Sequence, residues 1–337
     1  MSRKIAAVIT ILTALTASSW HGDSHANGVV AASKVYLNGV PYPVYFNDGD
    51  SFRVLAGPFA GTKARLAGYN TLESYGYTHS WGGWTEKELY HNAKMGTYNA
   101  RKGVWRCTSD LKRDGYGRIL WWCPDLAADQ IRKGLAHTMS VRGPADAKLT
   151  KVQNEAIRHK RGMWAHGVPR YVVTSLHSAE EPWFKGLPYN RMVSTVDGSS
   201  RKWRHRKRLA ECSKVCWHDV TLTPESTTYG LKALKAAESL KPYLSKYTDA
   251  ELGELLASYV GNGDLGTLKT NRGIKNKSER YAQLGVEAKD FDEVLAEVVK
   301  AGLASGAIKV ATKTKGACMV HAAFNRRYGR GAASCLH

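Results

Sequence analysis

Two carboxylates one residue apart, Asp48 and Asp50 on either side of Gly49, open a stretch that also carries Arg65, Asn70, Thr71 and Glu73. Asp50, the side-chain carbonyl of Asn70 and the backbone carbonyl of Thr71 are hard oxygen donors of the kind calcium takes, and a bound cation polarises a phosphoryl oxygen. Glu73 is the candidate general base, a role worth roughly 10²- to 10⁴-fold when the base lies within hydrogen-bond reach of its water. Arg65 offers a planar fork that grips two phosphate oxygens and stabilises the added charge of the transition state, which an ammonium does less well. The chemistry these residue types suit is attack of water on a phosphodiester.

Those side chains need strands and turns to hold them. Asp48-Gly49-Asp50 reads as a tight turn, and the alternation of Phe52 and Val54 with Ser51 and Arg53 predicts a strand leaving it. A second strand carries Arg65 and Leu66 into Asn70-Thr71-Leu72-Glu73. Ser74 to His91 is rich in Trp, Tyr and His and runs into a predicted helix from about Glu86 to Gly103. His79 and His91 are either acid–base candidates or structural and solvated histidines. The stretch VWRCTSDLKRDGYGRILWWC reads as a hairpin around Asp114-Gly115, with Cys107 and Cys123 opposed so that they can bridge. It places Tyr116 and Arg118 at the turn. Helical spacing predicts helices over Leu126–His137 and Lys148–Trp164, both as packing elements.

The quoted motifs resemble the active-site region of the staphylococcal-nuclease (thermonuclease) family, whose pattern runs from an Asp-Gly-Asp-Thr-like turn to Arg, then to Asp-Thr-Pro-Glu, then to Tyr-Gly-Arg. This chain has Asp48-Gly49-Asp50-Ser51, Arg65, Asn70-Thr71-Leu72-Glu73 and Tyr116-Gly117-Arg118, in the same order and spacing. The resemblance covers about residues 35–167. It implies an α+β fold built on a five-stranded OB-type Greek-key barrel with flanking helices. It also implies calcium held by Asp50, Asn70 and Thr71, catalysis by Arg65, Glu73 and Arg118, and Tyr116 against a nucleotide. DNA or RNA would be cut with little sequence preference, leaving 3′-phosphates. Two departures stand out. Asn70 replaces an aspartate ligand, which removes one negative charge and implies weaker calcium binding, toward roughly 10⁻⁴ to 10⁻³ M. Leu72 replaces a proline and removes a backbone restraint before the base.

Around this region, Arg3 and Lys4, an apolar run from Ile5 to about Ala17 and the small-x-small ending Ser24-His25-Ala26 read as a secretory signal over residues 1–26, with a retained anchor as the alternative. An exported chain is therefore expected, periplasmic or secreted, with no transmembrane segment after cleavage. A formal net charge of +20 over 337 residues points to a polyanionic partner, best met by nucleic acid. Six cysteines in an exported chain argue for disulfides. Beyond Cys107–Cys123 the simplest pairs are Cys212–Cys216 and Cys318–Cys335, although connectivity is not fixed by sequence. A metal reading of Cys212-x-x-x-Cys216-x-His218 is the minor alternative. Residues 168–223 read as a basic linker, with prolines, scattered tryptophans and the run RKWRHRKRL, which either contacts phosphate or is simply solvated. Residues 224–337 read as a small, mainly α-helical accessory domain of unassigned role. It contains a capping box at Thr248 and Glu251 and a helical segment over Phe291–Val299. The second function class is a non-catalytic nucleic-acid binder on the same barrel.

Overall fold

The computed structural model describes residues 33–181, 187–269, 273–322 and 335; the expected signal segment, 1–26, lies outside them. The first strands form an antiparallel meander: β1 (Ser33–Leu37), β2 (Val40–Asp48), β3 (Ser51–Val54) and β4 (Lys63–Leu66). Next come β5 (Gly68–Thr71), β6 (Thr78–Ser80), helix α1 (Glu86–Lys102), β7 (Val104–Cys107) and β8 (Ile119–Trp121). Strand β7 adds parallel to β1 and β8 parallel to β4, so the curled sheet has the order β7-β1-β2-β3-β4-β8. It therefore holds six strands, one more than expected. The two edges meet where Thr108 and Trp122 exchange backbone hydrogen bonds of 2.9 and 2.8 Å, beside the Cys107–Cys123 disulfide. Alternation fills the interior: Val35, Val44, Phe46, Phe52, Leu66 and Trp121 are all buried.

Helix α1 begins at a capping box, Thr85 with Glu88, and buries Leu89, Ala93, Gly96 and Ala100 along one stripe. Helix α2 (Pro124–Arg132) is followed by β9 (Ala136–Met139), then α3 (Ala147–Arg158). The helix expected to run to His137 thus stops at Arg132. Gly134 adopts φ +66°, and a Cβ there would lie 2.0 Å from the Arg161 carbonyl oxygen. The chain turns at that glycine, and β9 pairs with β5.

Residues 168–223 are not the expected linker. They form β10 (Tyr171–Ser175), β11 (Tyr189–Ser194), β12 (Ser200–Arg204) and β13 (Lys214–Leu222). The first three make an antiparallel sheet whose inner residues Val172, Val173, Met192 and Trp203 share one core with Leu72, Trp81, Leu89, Met163 and Trp164. Burial of that apolar surface is what folds a stretch whose composition looks polar. Helices α4 (Pro224–Ala236), α5 (Lys241–Leu244), α6 (Asp249–Asn262) and α7 (Lys277–Ser305) follow, packed around Leu234, Leu255, Leu256, Phe291 and Leu295. The capping box at Thr248 and Glu251 starts α6.

The C-terminal part is not helical throughout. Strand β14 (Val310–Val320) pairs antiparallel with β13 on one side and with β6 on the other. That register sets Cys216 opposite Cys318, and these two form a disulfide while Cys212 joins Cys335. The simple pairing of near neighbours is therefore corrected, and for Cys216 and Cys318, 102 residues apart, the β13–β14 pairing is what brings them together. From Ala32 onward the chain is one compact unit. A Cys216→Ser, Cys318→Ser variant is expected to lose about 2–5 kcal/mol of stability, read by thermal unfolding as roughly 2–4 °C per kcal/mol. An unchanged melting temperature would show that the β13–β14 pair holds without its bridge.

Candidate active site

The turn between β2 and β3 is held by three contacts. Asp48 accepts from the Ser51 hydroxyl at 2.7 Å and the Asp50 N–H at 3.2 Å, and the Tyr69 hydroxyl donates to the Gly49 carbonyl at 2.8 Å. Gly49 is required here for closeness rather than for a left-handed backbone. A Cβ at that position would lie 2.5 Å from Thr71 Cγ2 and 3.1 Å from the Gly96 carbonyl carbon of α1.

Asp50, buried to 3% exposure, is the hub. Its Oδ2 accepts the Thr71 N–H at 2.8 Å, and its Oδ1 accepts from Nη1 of Arg65. Nη2 of Arg65 donates to Asn70 Oδ1, while Asn70 Nδ2 donates to the Thr71 carbonyl at 2.7 Å. Strand pairing explains the convergence: β3 and β4 oppose Ser51 to Arg65, and β5 hangs from β9 in the register Asn70 to His137 and Thr71 to Ala136. Four of the residues expected at the site are thus joined by direct hydrogen bonds.

Glu73 leaves this cluster with its backbone N–H donating to His79 Nε2 at 3.1 Å. Its carboxylate makes no hydrogen bond or ion pair with the described residues. Burial pushes its pKa up to about 8, and the charges of Asp48 and Asp50 push the same way, opposed by Arg65 and Arg118. Asp48 is also raised, first by burial and then by Asp50. Arg65 is held above its ordinary value despite burial, because Asp50 and Asp48 favour the cation. The cluster is rich in carboxylate and short of positive charge.

Arg118 is fixed on the turn: Asp114 accepts its backbone N–H at 3.0 Å and its Nε at 2.7 Å, and that pairing lowers the Asp114 pKa despite burial. Its guanidinium carbon sits 5.4 Å from the Tyr116 ring, which is 78% exposed. Arg118 therefore reaches Glu73 through its field rather than by contact.

Two histidines lie beneath the cluster. His79, on β6, accepts from Glu73, so its Nδ1 carries the hydrogen, facing the Val173 carbonyl at less than full hydrogen-bond geometry. Burial, and then His137, lower its pKa to about 3. It positions Glu73 rather than exchanging protons. His91, the other histidine considered, is exposed on α1. His137, opposite Asn70, was not singled out from sequence; its Nδ1 lies 2.9 Å from the Thr138 carbonyl, its Nε2 is buried without a partner among the described residues, and burial lowers its pKa to about 4. Gln130, which ties the Gly49 and Gly96 carbonyls together, was also missed. Neither carries a local signal; only the β5–β9 register and the α1–α2 contact bring them in.

Asp50, Asn70 and Thr71 offer oxygens of the type that could hold a hard cation. Each of these oxygens is engaged in one or two hydrogen bonds, beside acids of raised pKa that a positive charge would relieve. Among the described residues no group of three or more His, Cys, Asp or Glu has metal-binding geometry, so any such ion leans on Asn70 and Thr71. Asn70→Asp is expected to cost stability in chelator, because a carboxylate oxygen replaces the donor 2.7 Å from the Thr71 carbonyl. It should bind calcium more tightly by on the order of tenfold, about 1.4 kcal/mol. Calcium titration followed by melting temperature checks both; unchanged or weaker calcium dependence would mean that Asn70 is not a ligand.

In comparisons with known proteins, no family model and no curated protein matches the chain.

Proposed function

We propose that the protein is an exported, calcium-dependent nuclease that hydrolyses phosphodiesters of DNA or RNA with low sequence preference. The observation that carries this is the joined cluster of Asp50, Arg65, Asn70 and Thr71 beside a carboxylate, Glu73, that has no partner among the described residues. Asp50, Asn70 and the Thr71 carbonyl would hold the ion, which supplies charge to a phosphoryl oxygen. Glu73 removes a proton from the attacking water as the P–O bond to the 5′-oxygen breaks. Arg65 and Arg118 stabilise the charge on the phosphoryl oxygens from two sides. The 5′-oxygen leaves with a proton from solvent, giving the 3′-phosphate that the family resemblance implies. Exposed Tyr116 offers a face on which a base stacks. The finer reading of the sheet as an OB-type Greek-key barrel draws support from the β1–β4 meander and from the edge contact of Thr108 with Trp122. Three disulfides fit an oxidising compartment, and among the described residues no helix is long and apolar enough to cross a membrane.

One observation favours a second reading, a binder without catalysis: the Arg65 guanidinium already occupies Asp50 Oδ1 and Asn70 Oδ1, two oxygens that calcium would use. Incubating the protein with plasmid, single-stranded DNA and RNA, in calcium or in chelator, separates the two. Calcium-dependent degradation is the expected result; retention of nucleic acid without cleavage under every condition would establish the binder.

A further inference from the structure

The β11–β12 hairpin shows two different faces. Met192 and Trp203 point into the core, whereas the register sets Tyr189 opposite Arg204 and Arg191 opposite Lys202 on the other face. Three cations therefore surround one ring: Lys202 Nζ lies 4.6 Å from the Tyr189 centroid, and the guanidinium carbons of Arg191 and Arg204 lie 5.6 and 5.9 Å from it.

What distinguishes these cations is the lack of an acid. Their neighbours in the same basic run are paired, Arg201 with Glu254, Lys207 with Asp264 and Arg208 with Glu180. Among the described residues none of Arg191, Lys202 and Arg204 has an acidic partner at ion-pair distance. Arg191 donates to the Ser200 hydroxyl at 2.6 Å, and Arg204 to the Leu187 carbonyl at 3.3 Å. The acid whose field reaches Arg204, Glu287, is already bound to Lys246 and Tyr247. Arg204 is 3% exposed, and its Nε has no hydrogen-bond partner among the described residues. Like charges gathered without compensation repel one another, and the arrangement is relieved when an anion enters.

We propose that Arg191 and Lys202, beside Tyr189 and with the buried charge of Arg204 behind them, bind the phosphodiester backbone of a single-stranded nucleic acid, outside the Asp50–Glu73 cluster. The choice of nucleic acid as the source of phosphate rests on the nuclease reading. The face itself is tested in chelator, so that binding and cleavage fail separately. Burial, and then Arg204 and Arg191, lower the Lys202 pKa to about 8, so its amine is partly neutral and reactive near that pH.

Binding of a labelled oligothymidylate is measured by anisotropy over a salt series, in the wild type and in R191Q/K202Q. Each single-strand phosphate contact contributes about 0.7 to the slope of log K against log salt, so the double variant is expected to lose about 1.4 of that slope. In the wild type, saturating oligothymidylate is expected to slow acylation of Lys202, read by peptide mass, which does not depend on any variant folding. An unchanged slope in a folded variant, or Lys202 acylated equally fast with and without oligonucleotide, would overturn the proposal. Protection of Lys202 by phosphatidylglycerol vesicles but not by oligonucleotide would overturn it in favour of a membrane surface.

Discussion

Glu73→Gln is expected to lower phosphodiester hydrolysis by roughly 10²- to 10⁴-fold, and in chelator to make the protein more stable than wild type at alkaline pH. Both effects come from one feature, a buried acid that has no partner among the described residues and feels the charges of Asp48 and Asp50. A carboxyl group near 4.5 when unfolded and about 8 when folded contributes no difference below pH 4.5, where both states are protonated. Between those values the unfolded chain ionises first, so stability falls as pH rises; above 8 the loss is complete, with a ceiling of roughly 5 kcal/mol. Glutamine does not titrate. The melting temperatures of wild type and variant should therefore agree near pH 4 and diverge through pH 8, with the variant higher. A difference that does not change with pH would show that Glu73 is not the strained acid. In the active protein the base must be ionised, so the rate should climb about tenfold per pH unit below its pKa. Bound calcium should shift that climb to lower pH, because positive charge favours the carboxylate.

The cluster was legible in sequence because its parts are local. A turn flanked by alternating residues fixes where Asp50 lies relative to β3, and Asn70, Thr71 and Glu73 follow Arg65 within eight residues, although the single strand expected there is broken at Ala67 into β4 and β5, which join different sheets. Leu72 was legible only as a missing proline. In the fold it is a buried anchor in the core shared with the β10–β12 sheet, which holds the segment ahead of Glu73 by packing rather than by backbone restraint. What could not be read depends on distant pairing. Nothing in VATKTKGACMV says that it will lie against Thr78–Ser80, yet that contact places β14 beside His79 and so behind Glu73. The Cys216–Cys318 pair follows from the same strand. One missed element did leave a signal: Asp197-Gly198 between two β-rich runs is a hairpin turn, and it joins β11 to β12, with Gly198 at φ +68°.

Arg65→Gln is expected to have the larger effect on stability. Asp50 is nearly sealed from water, and its Oδ1 depends on Arg65; removing one partner of a buried pair leaves an uncompensated charge and costs about 3–5 kcal/mol. The same change frees Asn70 Oδ1 and deprives the phosphate of its fork, so hydrolysis should fall by at least as much as in Glu73→Gln. Arg65→Lys separates the two roles. An ammonium keeps the charge beside Asp50 but cannot span Asp50 and Asn70 with two parallel donors. It should recover most of the melting temperature and little of the rate. Calcium sharpens the comparison. If the guanidinium and the ion compete for Asp50 and Asn70, Arg65→Lys binds calcium more tightly than wild type even as it hydrolyses more slowly. Equal calcium affinity in both would place the ion away from those two oxygens and leave Arg65 as a structural clamp on Asp50.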